Sequence, residues 1–191
     1  MWALVGLGNP GKDYSETRHN VGFMFVNRCA NEWKVKLKYL DKRFRGAEAK
    51  KNENEILFAK PRVFMNMSGV AVKRIQNKYQ VPLERLIVIH DDFDISLGEI
   101  RIKRGGSSGT HRGVKSVIEY LETQDFPRIR IGIGPVPEGV DPSDFVLSGF
   151  REPEKPLVRK SLDDAVAAFK MITTKSLDDA MNMYNRKRSE I

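Results

Sequence analysis

The sequence predicts a single α/β domain built on a mixed β-sheet, and three observations lead to this prediction. Strand-like and helix-like segments alternate along the chain, which is typical of the α/β class. The run LIVI at 86–89 is continuously apolar, as a strand in the middle of a sheet usually is. The chain shows no internal repeat, low-complexity tract or Pro-rich linker. We therefore expect residues 1–191 to form one domain.

The first predicted strand covers residues 2–7 and ends in the turn GLGNPG. Asp13, Ser15 and Thr17 are candidate N-caps for the helix that follows. In that helix apolar side chains recur at every fourth position, which places them on one face. They are Val21, Phe25, Cys29 and Trp33.

The next two predicted strands, 44–50 and 55–60, form a pair around the polar turn KNEN. Ser68 is a candidate cap for a second helix, because apolar residues at helical spacing follow it. These residues are Ala71, Ile75 and Tyr79.

Two strands with alternating polarity are predicted beyond LIVI. In EIRIKR, 99–104, isoleucines point to one face and charged residues to the other. RIRIGIG, 128–134, alternates in the same way and places Arg128 and Arg130 on one face. The loop GGSSGTHRG and a helix lie between them, and two helical segments, 153–171 and 176–188, close the chain.

Composition limits the classes of function. The formal net charge of +8 favours an anionic partner such as nucleic acid. No apolar stretch is long enough to span a membrane, and neither a signal peptide nor a transit segment precedes the first strand. The single cysteine, Cys29, has no internal disulfide partner and is expected to be buried. These features predict a cytoplasmic protein.

The turn GLGNPG fits the dinucleotide-binding pattern G-x-G-x-x-G, but its context does not. A dinucleotide site needs a helix that starts within the motif and an acidic residue at the end of the next strand. Here Pro10 lies inside the motif, polar residues follow it, and Glu32 lies at the end of a helix. We expect no nucleotide cofactor, and interpret the glycines as residues that permit a tight turn.

All three histidines lie at boundaries between predicted elements, and an α/β fold often gathers such boundaries at one ligand-binding edge. His19 is near a helix N-terminus, where the helix dipole disfavours the imidazolium and leaves a neutral base. His90 directly follows the apolar strand and is expected to be structural. Asp91 is a candidate to orient a histidine from another segment. The histidine spacing does not match a zinc site.

GGSSG, 105–109, fits the nucleophile-elbow pattern G-x-S-x-G with Ser107 as the nucleophile. That fold needs an acidic residue and then a histidine later in the chain. The only later histidine is His111, with no acidic residue between it and Ser107. A loop that lets a phosphate or a backbone approach closely is the favoured interpretation.

Four segments in this order are similar to the bacterial peptidyl-tRNA hydrolase family: GLGNPGKDYSETRHNVGF, KPRVFMNMSG, HDDFDISLGEIRIKRGGSSGTHRG and RIRIGIG. The resemblance runs from residue 3 to about 150. It implies a monomeric α/β fold with a mixed, twisted sheet surrounded by helices. It also implies hydrolysis of the ester between a peptide, or an N-blocked amino acid, and the terminal ribose of tRNA. No cofactor, metal or obligatory protein partner is expected.

The resemblance also implies roles for residues that match the family's motifs. His19 would be the base that activates water, and Asp91 would hydrogen-bond it, set its tautomer and stabilise its protonated form. Asn9 would sense the blocked α-amino group. Asn66 would bind the substrate end and steady the oxyanion.

Further residues are implied to contact the substrate. Tyr14, Phe64 and Met65 would line the site near the 3′ end. Gly109 and His111 belong to a loop that would form a gate on the peptide side. The basic residues of the alternating strands would contact tRNA phosphates at the acceptor stem and CCA end: Arg101, Lys103, Arg104, Arg128 and Arg130.

One position departs from the family pattern. The family usually has Asn where this chain has Arg112. Arginine donates hydrogen bonds but cannot accept them, so a phosphate of the CCA end is a suitable partner for Arg112.

Two alternatives belong to other classes of function. One is an RNA-binding or splicing protein without hydrolytic activity on the same scaffold. The other is a serine esterase that uses Ser107.

Overall fold

The computed structural model describes residues 1–51 and 53–185, and a seven-stranded sheet runs through them with the order β2-β3-β4-β1-β5-β7-β6. β1 pairs in parallel with β4 and β5, and β5 pairs in parallel with β7. The other three pairings are antiparallel, so the predicted mixed sheet is confirmed. The strands are β1 (Trp2–Gly6), β2 (Lys38–Asp41), β3 (Phe44–Lys51), β4 (Asn54–Pro61), β5 (Leu86–Ser96), β6 (Ile100–Lys103) and β7 (Arg128–Gly134).

Helices cover both faces of the sheet, because its central strands alternate their side chains between two cores. Leu4 of β1 packs in one core with residues of α1 and α5, whereas Ala3 and Val5 pack in the other with residues of α2 and α3. The helices are α1 (Val21–Glu32), α2 (Ser68–Tyr79), α3 (Arg112–Leu121), α4 (Pro142–Leu147), α5 (Lys155–Thr174) and α6 (Leu177–Tyr184). Among the helices described, none is both long enough and apolar enough to cross a membrane.

The strands predicted from alternation and from apolar runs are all present, but two short elements were missed. β2 has four residues and α4 has six, and segments this short give too few residues to establish a period. Part of the predicted turn KNEN, Asn52, lies outside the described residues, as do 186–188 of the last predicted helix.

The predicted helix caps are wrong. A 3₁₀ turn, Arg18–Asn20, lies between the candidate caps and α1, and Asn20 occupies the N-cap position. Thr17 Oγ1 and Ser15 Oγ instead donate hydrogen bonds to backbone carbonyls three residues earlier. Ser68 is the first residue of α2 rather than its cap, because a second 3₁₀ turn, Met65–Met67, leads directly into the helix.

The glycine of β1 allows α1 to pack close to the sheet. A Cβ atom on Gly6 would lie 2.1 Å from the carbonyl oxygen of Gly22, and one on Gly22 would lie 2.5 Å from that of Leu7. Both distances are shorter than any real contact, so the two backbones can meet only as glycines. This approach brings the start of α1 against the carboxyl end of β1 and against Ile89 of β5.

Cys29 is fully buried in the core beneath α1, as expected. Burial raises the pKa of its thiol far above the usual range, which keeps it protonated and unreactive.

Candidate active site

Two of the three histidines, His19 and His111, bind one carboxylate, that of Asp91, in the part of β5 that extends beyond the carboxyl end of β1. Asp91 lies in β5, His19 in the 3₁₀ turn before α1, and His111 at the N-cap of α3. The expectation that boundary residues meet at one edge holds for His19 and His111, whereas His90 and Asp91 lie within β5, which continues to Ser96.

His19 is held by Asp91 through one ring nitrogen. Its Nδ1 lies 2.9 Å from Oδ2 and 3.0 Å from Oδ1 of Asp91. An ionised carboxylate only accepts hydrogen bonds, so Nδ1 carries the proton and Nε2 carries the free lone pair. The His19 side chain keeps 14% of its surface exposed, whereas that of Asp91 keeps 3%. The arrangement presents a basic nitrogen to incoming substrate and fixes its tautomer.

His111 binds the same carboxylate, and its ring lies 5.1 Å from that of His19 between centroids. Its Nε2 donates to Asp91 Oδ1 at 2.9 Å, while its Nδ1 accepts from the backbone N–H groups of Gly113 and Val114. His111 is thus the side-chain N-cap of α3 as well as a ligand of Asp91. The sequence analysis did not identify this capping role, because histidine is not among the usual cap residues.

Asp91 is ionised despite its burial. Burial alone would raise the pKa of its carboxyl, but His111 and His19 donate hydrogen bonds to it and lower that pKa well below the usual range. The carboxylate therefore remains charged around neutral pH. It can stabilise positive charge that develops on His19.

His90 lies beneath this group and is structural, as predicted. It is 4% exposed, and its Nδ1 donates to the backbone carbonyl of Asp91 at 2.7 Å. Its ring meets the His111 ring edge-on, with centroids 4.7 Å apart. Within the described residues its Nε2 is buried without a hydrogen-bond partner. Burial, followed by repulsion from His111, lowers the pKa of His90 well below its ordinary value.

We predict that His90 makes the protein less stable as the pH falls below about 6.5, the pKa of histidine in an unfolded chain. The folded state keeps His90 neutral, whereas the unfolded chain takes up a proton below that pH. The penalty grows by up to about 1.4 kcal/mol per pH unit. His90→Asn retains a donor for the Asp91 carbonyl but does not titrate. Urea unfolding at pH 7.5 and 5.5 should show a larger loss of stability in the unmodified protein than in His90→Asn. Equal losses would contradict this assignment.

Asn9 is fixed by two hydrogen-bonded partners. Its backbone N–H donates to Asn20 Oδ1 at 2.8 Å, and its backbone carbonyl accepts from Asn20 Nδ2 at 2.9 Å. Its side-chain Oδ1 accepts the backbone N–H of Met65 at 2.8 Å. The oxygen is therefore occupied, and Nδ2 is the group left to meet a substrate. Asn20, 1% exposed, is a site residue that sequence reasoning missed.

Arg18 is a second residue that the sequence did not reveal. It is 4% exposed, and its guanidinium lies 2.7 Å from Glu154 Oε2. The same guanidinium packs over the rings of Phe145 and Phe150, at 4.5 and 4.8 Å. These contacts tie the 3₁₀ turn that carries His19 to the segment around α4. Their partners are more than a hundred residues away in the chain, so no local pattern indicates them.

The residues implied to line the 3′-end site lie on the loops after β1 and β4. Tyr14 and Phe64 meet edge-on with centroids 6.3 Å apart, and Phe64 is 56% exposed. Met65 is buried, and its backbone N–H supports Asn9. Asn66 is exposed and follows Met65 in the same 3₁₀ turn. The Asn9–Met65 hydrogen bond therefore links the two asparagines expected to act on the substrate.

The basic residues of the alternating strands do not form one free patch. Arg128 was expected to contact phosphate, but it is 2% exposed and donates to the carbonyls of Gly106 and Ser107. At the first position of β7, its buried side chain is an anchor for the Gly-rich loop, in which Gly109 is exposed. Arg101, Arg104 and Arg130 form ion pairs with Glu99, Asp178 and Asp92, respectively. Lys103 and Arg112 are exposed, with no ion-pair partner within the described residues.

Nitrogen and oxygen atoms of His19, Asp91 and His111 lie within 4.8 Å of one another, a grouping that could hold a metal ion. The linear spacing of the histidines did not indicate this grouping. Both histidines, however, direct an N–H proton at Asp91. A metal would have to displace both protons, so the donor set as arranged fits an orienting carboxylate better than a metal cage.

Ser107 does not have the surroundings of an activated nucleophile. It is exposed, and its backbone carbonyl accepts from Arg128. In the part of the chain that the structure describes, no histidine forms a hydrogen bond with its hydroxyl. A serine nucleophile needs such a base, so the geometry gives no support to a Ser107 esterase.

Comparison with known proteins agrees with this geometry. The family model described as "Peptidyl-tRNA hydrolase" matches residues 3–191. The chain is 44% identical to a peptidyl-tRNA hydrolase of Alkaliphilus metalliredigens over 97% of this chain and 100% of that protein. It is 40% identical to that of Bacillus subtilis over 98% of this chain and 100% of that protein. The crystal structure of the Acinetobacter baumannii peptidyl-tRNA hydrolase superposes with a TM-score of 0.90 at 32% identity, covering 97% of this chain and 94% of that one. The chain belongs to the peptidyl-tRNA hydrolase family.

Proposed function

We propose that this protein hydrolyses the ester between a peptide, or an N-blocked amino acid, and the terminal ribose of tRNA, releasing free tRNA for reuse in translation. The observation that carries the proposal is the His19–Asp91 pair, in which Nδ1 is committed to a buried carboxylate and Nε2 is left as a base. Peptidyl-tRNA hydrolysis is the activity for which the family is named. The cytoplasm, where translation supplies this substrate, is the compartment we propose.

In the proposed reaction, His19 Nε2 removes a proton from a water molecule as the water oxygen attacks the ester carbonyl carbon. Asp91 stabilises the imidazolium that forms. The resulting tetrahedral intermediate collapses, the bond to the ribose oxygen breaks, and the imidazolium returns its proton to that oxygen. An ester already has a good leaving group, so a positioned base and water suffice without a metal or a cofactor.

Asn66 and Asn9 are proposed to act on the carbonyl oxygens of the substrate. Asn66 is exposed beside the site, and its amide would donate to the oxyanion of the tetrahedral intermediate. Asn9 has its side-chain oxygen occupied by the Met65 N–H, so its Nδ2 would donate to the carbonyl of the blocking group. Only an N-blocked substrate has that carbonyl. The role implied by the family resemblance, sensing of the blocked α-amino group, is thereby proposed to use a donor on Asn9 and the carbonyl of the blocking group.

We predict that Asn9→Asp reduces the preference for blocked over free aminoacyl-tRNA by at least about tenfold, the equivalent of one hydrogen bond. The aspartate would still accept the Met65 N–H, but it would present an anion where Asn9 presents a donor. That anion would repel a carbonyl and attract a free ammonium group. The ratio of kcat/KM for N-acetyl-aminoacyl-tRNA to that for aminoacyl-tRNA measures the effect. Asn9→Ala should reduce the ratio less, and an unchanged ratio in both variants would contradict the role.

The RNA end of the substrate is proposed to lie over Tyr14 and Phe64, whose paired rings are partly exposed. Lys103 and Arg112 are the unpaired cations nearest to the Gly-rich loop in sequence, and suit phosphates of the acceptor stem and CCA end. Arg101 and Arg130 would first have to exchange their carboxylate partners for phosphate. Gly109 and His111 would border the peptide side as a gate.

The test of the function is release of free tRNA from N-acetyl-aminoacyl-tRNA, with unblocked aminoacyl-tRNA as the control. We expect rapid release from the blocked substrate, slow release from the unblocked one, and no loss of rate in EDTA. RNA binding without release would favour the non-catalytic alternative, and loss of rate in EDTA would favour a metal-dependent mechanism. A protein that elutes as a monomer and needs no partner in this assay would match the remaining expectations.

A further inference from the structure

A row of basic and aromatic side chains crosses the sheet from its edge towards the active site. Tyr39 of β2 lies opposite Arg45 of β3, and Arg45 lies opposite Lys60 of β4. Residues directly opposite each other in an antiparallel pair project to the same face. Arg62, two residues beyond Lys60, contacts the same tyrosine. We call Tyr39, Arg45, Lys60 and Arg62 the basic band.

The band combines exposed aromatic surface with cations. Tyr39 is 67% exposed, the largest exposed fraction among the large apolar side chains described. The guanidinium carbons of Arg45 and Arg62 lie 4.7 and 4.5 Å from its ring centre. Two cations thus contact the ring of a tyrosine on an edge strand. Packing in the core or capping of a secondary-structure element would not require the Tyr39 ring to be so exposed.

The cations of the band lack acidic partners in the described residues. Arg45 donates to the Leu37 carbonyl at 3.2 Å, and Arg62 donates to the Lys42 carbonyl at 3.2 Å. Lys60 donates to the neutral amide oxygen of an asparagine in α1, at 2.8 Å. Burial and the charge of Arg45 lower the pKa of Lys60, so bringing these cations together is unfavourable until an anion joins them. The arginines of β6 and β7 differ, because carboxylates already neutralise them.

Two residues of the band, Lys60 and Arg62, connect it to the active site. Lys60 lies over the Phe23 ring at 5.2 Å, and that ring fills the space where a side chain on Gly8 would be, immediately before Asn9. Arg62 precedes Phe64 by two residues in the loop that continues to Asn66. A chain bound with its end at Phe64 can therefore continue along the band without leaving the surface.

We propose that the basic band is an RNA-contacting surface, on which Arg45, Lys60 and Arg62 bind phosphates of the tRNA next to its 3′ end and Tyr39 packs against a base or ribose. The inference rests on the proposed function, since it assigns part of the same substrate to a new surface. Phosphate contacts position RNA without reading its sequence, which suits a catalyst that must accept many tRNAs. Exposed aromatic rings beside cations are the usual means of holding single-stranded RNA.

The test compares two substrates with the same ester: N-acetyl-aminoacyl-tRNA and N-acetyl-aminoacyl-adenosine, which lacks the rest of the RNA. For Arg45→Gln/Arg62→Gln we expect KM for the tRNA substrate to rise about tenfold, with kcat unchanged. The slope of log KM against log salt should fall by about 1.5, as expected for two lost phosphate contacts. The rate with the adenosine ester should not change. Tyr39→Ser should raise KM for the tRNA substrate at least about fivefold, and Tyr39→Phe should not.

Lys50→Gln/Lys175→Gln is the matched control. It removes the same charge from exposed positions near the other end of the β3–β4 pair, where β3 ends and β4 begins. The inference is overturned if the two double variants have the same KM and salt slope. It is also overturned if Arg45→Gln/Arg62→Gln loses as much activity on the adenosine ester as on the tRNA substrate. The band would then only support the fold of the active site. Failure of the unmodified protein on both substrates would instead contradict the proposed function.

Discussion

Replacing His19 with alanine is expected to lower the rate of tRNA release by about a hundred- to ten-thousand-fold. His19 Nε2 is the base left free when Nδ1 is bound to Asp91, and alanine leaves no group to take the proton from water. The side chain is small and partly exposed, so its removal should have little effect on stability. Single-turnover release from N-acetyl-aminoacyl-tRNA measures the rate, and fluorescence anisotropy with uncleaved substrate measures binding. Binding should stay within about threefold of the unmodified protein.

Two further measurements separate a chemical role of His19 from a structural one. Added imidazole can enter the space left by alanine and should restore part of the rate, which it would not do if the substitution had only disturbed the fold. Ser107→Ala is the matched control and should keep the full rate, because its hydroxyl has no histidine partner in the described residues. Full activity of His19→Ala would contradict both the mechanism and the proposed function.

Local patterns were sufficient to predict much of the framework. The apolar run at 86–89 and the alternation at 99–104 and 128–134 gave β5, β6 and β7, because each pattern reflects how a strand is buried. Apolar side chains at every fourth position from Val21 predicted α1 in the same way. β2 and α4 were not predicted, because an edge strand and a helix of less than two turns bury too few side chains to produce a periodic pattern of apolar residues.

The site was only partly predictable, because its geometry depends on contacts between distant segments. The sequence placed the three histidines at element boundaries and indicated that Asp91 could orient one of them, but not that His19 and His111 share its carboxylate. Alternation in β7 placed Arg128 on the same face as Arg130. Burial depends on what covers that face, and the Gly-rich loop covers Arg128. The free donor of Asn9 likewise follows from a hydrogen bond to Met65, far along the chain.

Replacing Asp91 with asparagine should lower the rate of release by about a hundred- to ten-thousand-fold while leaving every backbone element in place. The carboxylate accepts N–H protons from His19 and His111 together. Because His19 Nδ1 lies within 3.0 Å of both carboxylate oxygens, the NH₂ group of an asparagine would face the His19 N–H in either orientation of the amide. His19 would lose its orientation, its favoured tautomer, or both. The partner that stabilises its protonated form would also be lost. Asp94→Asn, at an exposed position of the same strand, is the matched control and should keep the full rate.

The pH dependence of the free energy of unfolding distinguishes a role of the Asp91 charge from a role of its shape in packing. The pKa of Asp91 is lowered in the folded protein, so its carboxylate stabilises the fold fully above about pH 4, the pKa of an unfolded aspartate, and loses this effect as the pH falls through the folded value. At pH 7 we expect Asp91→Asn to be less stable by about 2–3 kcal/mol, the loss of a charge-assisted hydrogen bond. Urea unfolding should show this difference shrinking as the pH falls below 4. A difference that is equally large at pH 3 would mean that Asp91 acts through shape rather than charge, and His19 would then need another partner to stabilise its imidazolium.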